Sequence, residues 1–140
     1  METKFNFKSQ MCTTVAQSER LLALGLKKDT ADMGSIRNLV RTTSNGTQEV
    51  IFTFTPDNWE ANPDSIPRWS LHRLIEMMPL DVIPEGGFDN CFTLIKNYPK
   101  GYSVEYDGFS YYHKENIYDT LTEGIEHLIK EGYFNKEYLV

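Results

Sequence analysis

The stretch from Tyr102 to Glu131 limits the fold most, because it reads as two strands joined by a tight turn and running straight into a long amphipathic helix. Asp107-Gly108 suits the positive φ angles of a type I′ turn. Centred there, the hairpin pairs Tyr106 with Phe109, Val104 with Tyr111 and Tyr102 with His113. A side-chain period of two then gathers those six residues on one aromatic face and leaves Ser103, Glu105, Ser110 and Tyr112 on the other. Asn116 is placed to cap a helix over Ile117–Glu131, Asp119 in the first turn suits the positive end of the dipole, and Gly132 stops it. Ile117, Leu121, Ile125, Leu128 and Ile129 form one stripe, which predicts packing on the aromatic face of the hairpin. Glu115, Asp119, Glu123 and Glu126 fall almost opposite. That acidic row is either a docking surface for a basic partner or, more simply, a solvated face.

The rest of the chain supplies further caps and turns. Thr14 with Gln17 has the form of a capping box, and a short helix through Leu21, Leu22 and Leu24 would end at Gly25. Its wide apolar arc predicts that it is largely buried. Asn45-Gly46 is a strong hairpin signal between Arg37–Ser44 and Thr47–Thr55. Apolar residues on both faces there predict a hairpin inside the sheet, with only its polar tip protruding. Thr55 to Arg68 carries Pro56, Pro63 and Pro67, has no periodic pattern and reads as a long loop. Trp59 in its middle is either an anchor for a partner or a side chain folded back to pin its own loop. Ser70 caps a helix bearing Leu71, Leu74, Ile75 and Met78, with Trp69 and Leu74 as a hydrophobic staple and Pro79 as its end. Cys91–Lys96 reads as a strand that turns through Tyr98-Pro99-Lys100-Gly101 into the hairpin. Lys4–Lys8 alternates as a short edge strand would. The summed expectation is one α+β domain, a largely antiparallel sheet of about five strands with about three helices against it.

Composition narrows the function classes. A chain of 140 residues has room for one core, and 40 % hydrophobic with 24 % charged residues is ordinary for a soluble domain. No apolar run approaches the roughly 18 residues of a spanning helix, so no membrane is expected, and the N-terminus has no apolar core of a secretory signal. A cytoplasmic site follows, in which Cys12 and Cys91 are reduced thiols. The charge is acidic, net −6, and lopsided: Met1–Arg73 holds nine basic and eight acidic residues, whereas Leu74–Val140 holds five and twelve. Lys27, Lys28, Arg37 and Arg41 are a scatter rather than a phosphate-tracking stripe, so no general nucleic-acid binding is expected. An exposed sheet edge can pair with a second chain or be blocked by charge, which leaves both oligomeric outcomes open.

Chemistry-bearing motifs are few. His72, His113 and His127 lack a metal-binding spacing, and Asp29 with Asp32 reads as turn or cap chemistry, so no metal and no cofactor are expected. There is no nucleophile elbow, P-loop or dinucleotide fingerprint. Pro56-Asp57 and Pro63-Asp64 do not match a PD-(D/E)xK nuclease, since the one acid-x-lysine element, Glu2-Thr3-Lys4, precedes them. His113 is the one general-base candidate, at the end of the aromatic face.

Gln17, Leu21-Leu22-x-Leu24-Gly25-Leu26, Thr30-Ala31-Asp32-Met33 and Pro67-x-Trp69-Ser70-Leu71-x-x-Leu74 ending at Pro79 form a pattern, followed by the Tyr-rich hairpin and terminal helix. It resembles small uncharacterised proteins encoded by gut Bacteroidales and their phages or integrated elements. The resemblance implies a mobile-element origin and carries over no activity or catalytic residue. The expected function is therefore a non-enzymatic accessory or interaction protein with a protein partner, engaged through Trp59 or through Glu115, Asp119, Glu123 and Glu126. The alternative is a small enzyme with a pocket near His113.

Overall fold

The computed structural model describes residues 9–44, 46–82, 90–97, 100–106 and 111–140. In chain order the elements are α1 (Val15–Ala23), β1 (Met33–Thr43), β2 (Gly46–Thr53), α2 (Pro56–Ala61), β3 (Ile66–Arg68), α3 (Leu71–Met77), β4 (Asp81–Val82), β5 (Asn90–Lys96), β6 (Tyr102–Tyr106), β7 (Tyr111–Lys114) and α4 (Ile117–Glu131). All strand pairs among the described residues are antiparallel and the class is α+β, as expected. The strands divide, however, into two sheets, β2-β1-β3 and β4-β5-β6-β7. Two of these elements, α2 and β3, lie in the Pro-rich stretch that reads as a loop. Pro67 is compatible with β3 because that strand forms a sheet edge, where a missing N–H costs no ladder bond.

The helix termini follow their capping residues. Thr14 Oγ1 accepts from the Gln17 N–H at 3.1 Å while Gln17 Oε1 accepts from the Thr14 N–H at 2.9 Å, closing the capping box. Ser70 accepts from the Arg73 N–H, and Asn116 accepts from the N–H groups of Tyr118 and Asp119. Gly132 ends α4 in the left-handed region at φ 79°, where a Cβ would be strained. Trp69 and Leu74 are fully buried, consistent with the staple.

Between the sheets lie α1 and α4. The latter buries Tyr118, Leu121, Ile125 and Leu128 and rests on β6 and β7. Gly124 is the point of closest approach, since a Cβ there would stand 3.7 Å from Val104 Cγ1 and 3.5 Å from Met78 Cε. On its other side α4 touches α1, which in turn touches β3 of the first sheet. Only Ser18 and Leu21 of α1 are buried, and Leu22 is 37 % exposed, so this helix is less enclosed than its sequence suggests. Its polar buried face is accounted for by Ser18, whose hydroxyl bonds Thr13 Oγ1 at 2.7 Å.

The second sheet corrects the expected register. Val104 pairs with Tyr112, Ser103 with His113 and Tyr102 with Lys114, one residue away from the two-residue-turn alignment. A slip of one exchanges the faces, so the position beside Val104 belongs to Tyr112 rather than Tyr111, and His113 leaves the aromatic row for the Ser103 row. Tyr111 and Tyr112 are adjacent, and either register offers an aromatic residue to the Val104 face; the side-chain pattern alone does not distinguish them. The turn residues Asp107-Gly108, with Asn45, Lys4–Lys8, the Pro84–Gly87 stretch and Tyr98-Pro99, lie outside the described residues.

The first sheet holds the second correction. Across β1, β2 and β3, Met33, Ser35, Ile51, Thr53, Ile66 and Arg68 share one side, and Gly34, Phe52 and Pro67 the other. Only the root of this hairpin is covered. From Ile36 to Thr42 every β1 residue is exposed, as is Gly46–Glu49 of β2, so the hairpin leaves the body instead of lying inside a sheet. At the root, Phe54 fills the space a side chain at Gly34 would need: a Cβ would fall 2.5 Å from its ring. Gly34→Ala is expected to cost about 1–3 kcal/mol through overpacking. A urea midpoint unchanged from wild type would contradict this packing.

Candidate functional site

The acidic row of α4 is engaged by the chain itself. Arg20, one turn from the end of α1, donates to Glu123 at 3.0 Å and also to Glu126, and Lys130 pairs with Glu126 at 3.3 Å. Lys114 stands 3.8 Å from Glu123, and Lys100 pairs with Glu115 at 3.1 Å. Asp119 accepts from Gln17 Nε2 at 2.7 Å, so the side chain that closes the α1 capping box also reaches α4. Gln10 ties the two helix N-termini together, donating to Gln17 Oε1 at 2.8 Å and accepting from Asn116 Nδ2 at 3.0 Å. Hydrogen bonds from Arg20, and then Lys130, hold the Glu126 carboxyl below its ordinary value. Asp119, Glu123 and Glu126 therefore form the α1–α4 seam, whereas Glu115 precedes α4 and pairs with Lys100 outside it.

Trp59 is folded inward. Helix α2 turns its indole onto Phe54 in a stacked pair with centroids 4.3 Å apart, and it is 7 % exposed. Lys28 Nζ lies 4.7 Å from the indole centroid and donates to the Pro63 carbonyl at 2.8 Å. Together these contacts close the 54–63 segment over the Gly34 side of the first sheet. Little of the indole is left to meet a partner.

The β1–β2 hairpin, of which the sequence marked out only Arg37, Arg41 and a protruding polar tip, also displays apolar residues that the sequence did not single out. Its ladder is regular to Ser35↔Ile51 and resumes at Val40↔Glu49, so Ile36–Leu39 bulge opposite the single residue Val50. Asn38 takes the left-handed conformation at φ 69°, which asparagine tolerates better than most residues. The bulge turns Ile36, Leu39 and Val40 to solvent at 39, 40 and 52 % exposure, beside Arg37 and Arg41. The adjacent Leu39-Val40 pair breaks strict alternation, and with Asn38 it was the signal available in the sequence. Arg37 makes one exposed ion pair, with Glu19 at 3.3 Å.

At the root of this arm Arg68 is almost wholly enclosed, 2 % exposed. Its Nη1 donates to the Thr13 carbonyl at 2.8 Å and stands 3.9 Å from Cys12 Sγ, and its Nη2 donates to Glu49 of β2. The Thr13–Trp69 backbone bond and the Asp32 carboxylate on the Ser70 N–H at 2.9 Å complete this junction. Burial pushes the Cys12 thiol up, and Arg68 offsets this only in part, so Cys12 at neutral pH is a protonated thiol rather than a nucleophilic thiolate.

His113 pairs with Ser103 in the ladder, and its side chain lies outside those described. Among the described residues no group of three His, Cys, Asp or Glu side chains could hold a metal ion. No helix of the described residues is long and apolar enough to cross a membrane. Comparison of the chain with protein-family models, curated proteins and solved structures finds no match.

The Arg20 seam has a defined pH signature. A carboxyl depressed in the folded state contributes stability above its unfolded pKa and loses it as pH falls through the folded value. Arg20→Ala should cost about 0.5–1 kcal/mol at neutral pH, as partly exposed pairs do, and should flatten the acid decline of stability below about pH 4.5. Urea unfolding across a pH series checks this; a variant with the wild-type acid slope would contradict it.

Proposed function

We propose that this chain is a non-enzymatic accessory protein that works by holding a protein partner on its β1–β2 arm. The observation that carries the reading is the arm itself: an apolar trio, Ile36, Leu39 and Val40, displayed by a bulge and flanked by Arg37 and Arg41. Exposed apolar residues grouped with arginine are typical of the centre of a protein interface. The chemistry fits a partner offering an apolar groove with carboxylates at its rim. The engagement of Glu123 and Glu126 by Arg20, and of Trp59 by Phe54, moves weight away from those residues as docking points. We place this action in the cytoplasm, which the buried free thiol of Cys12 supports. The resemblance to small proteins of gut Bacteroidales and their phages or integrated elements supports a mobile-element origin.

A photo-crosslinking residue at position 39, with the same residue at the 85 % exposed Leu80 as control, tests the arm in lysate of the host. One defined adduct is expected at position 39 and none at position 80. Val40→Asp should abolish it without lowering the melting temperature. Equal adducts at both positions, or an adduct indifferent to Val40→Asp, would remove the arm from consideration.

A further inference from the structure

Arg68 is the one described side chain whose burial and bonding leave a charge half used. A guanidinium taken out of water costs several kcal/mol unless its donors are filled. Here Nη1 is satisfied by Thr13, but Nε has no hydrogen-bond partner among the described residues. Nε and Nη2 are the two parallel donors on one edge of the guanidinium, the edge that donates to both oxygens of a carboxylate. Glu49 accepts from Nη2 with a single oxygen, Oε1, and leaves Nε unfilled. It comes from the outer strand of the sheet, and its side chain is 54 % exposed, against 2 % for Arg68.

Arg68 and Glu49 both line a cleft of about 360 Å³, together with Gln10, Cys12, Thr14 and Gln48. The first turn of α1 opens on the same cleft through Thr14 and Val15, which adds the positive end of a helix dipole. Met11 and Ile51 make its apolar margin. The other carboxylate near Cys12, Asp32, is held by Ser70.

We propose that this cleft binds a small monocarboxylate, which displaces Glu49 and takes both Nε and Nη2 of Arg68. Glu49 is the in-chain occupant of a site that a free carboxylate fills more completely. A single negative charge matches the single guanidinium. A dianion such as phosphate is disfavoured by the remaining charges of Glu49 and Asp32. Met11 and Ile51 suit a short apolar tail on the acid. The site is separate from the apolar trio of the arm and stands whether or not the arm holds a partner.

NMR titration of the full chain with sodium acetate, read at the Arg68 Nε–H and the amides of Thr13, Thr14 and Val15, tests the proposal, with chloride at matched ionic strength and phosphate as controls. Acetate should give saturable shifts at these four groups. In Glu49→Gln, a substitution at an exposed side chain, the acetate affinity should tighten by about tenfold, because an intramolecular competitor at millimolar effective concentration is weakened. Reading the Arg68 side chain directly avoids relying on a variant of a buried residue. Shifts that are linear in salt, saturation by phosphate only, or an acetate affinity unchanged in Glu49→Gln would each overturn the site.

Discussion

Two sheets with no backbone ladder between their described strands need another means of holding together, and in this chain α1 supplies it. The helix is short and only modestly apolar, with Ser18 and Leu21 its buried residues. What fixes it is a polar seam on one side, where Arg20 and Gln17 meet the carboxylates of α4, and the Thr13–Trp69–Arg68 junction on the other. Individually such surface bonds contribute little. Their geometry matters more, because α4 is already anchored on β6 and β7 by its apolar stripe, and whatever is registered against α4 is registered against the second sheet. The seam thereby sets where the first sheet, and the arm that grows from it, stands relative to the body.

This division of labour also decides which surfaces are free. The second half of the chain is strongly acidic, and a row of carboxylates on a terminal helix invites a reading as a docking face. Once Arg20, Lys114 and Lys130 are brought against Glu123 and Glu126, most of that charge is neutralised at short range. The β1–β2 arm has the opposite character. It carries two arginines and one glutamate, and that glutamate is turned back onto Arg68 at the root. A basic, apolar projection thus extends from an acidic body.

The parts of the fold legible in the sequence were those specified locally. Thr14-Gln17, Ser70 and Asn116 each announce a helix start by side-chain chemistry that acts within three residues, and Gly132 announces an end by its backbone freedom. Asn45-Gly46 placed the first hairpin. Features set by distant contacts were not legible. Tyr111-Tyr112 permits two registers, and pairing across the sheet chooses between them. Val50, Ile51 and Phe52 look like a strand covered on both faces, but only the root of that strand meets Phe54 and the N-terminal segment. The candidate surfaces follow the same rule: Trp59 and the acidic row stood out by residue type, whereas the exposure of Ile36, Leu39 and Val40 arises from a bulge centred on Asn38, and the burial of Arg68 from strand pairing of Ile66–Arg68 with β1.

Hydroxyl-radical footprinting of the tagged protein, once purified and once within lysate of its own host, compares the two surfaces in a single measurement. Strong labelling of Ile36, Leu39 and Val40 is expected in the purified protein and its loss in lysate, with labelling on α4 the same in both. Unchanged labelling of the arm, together with new protection along Ile117–Glu131, would contradict this and return the acidic helix to the centre of the function.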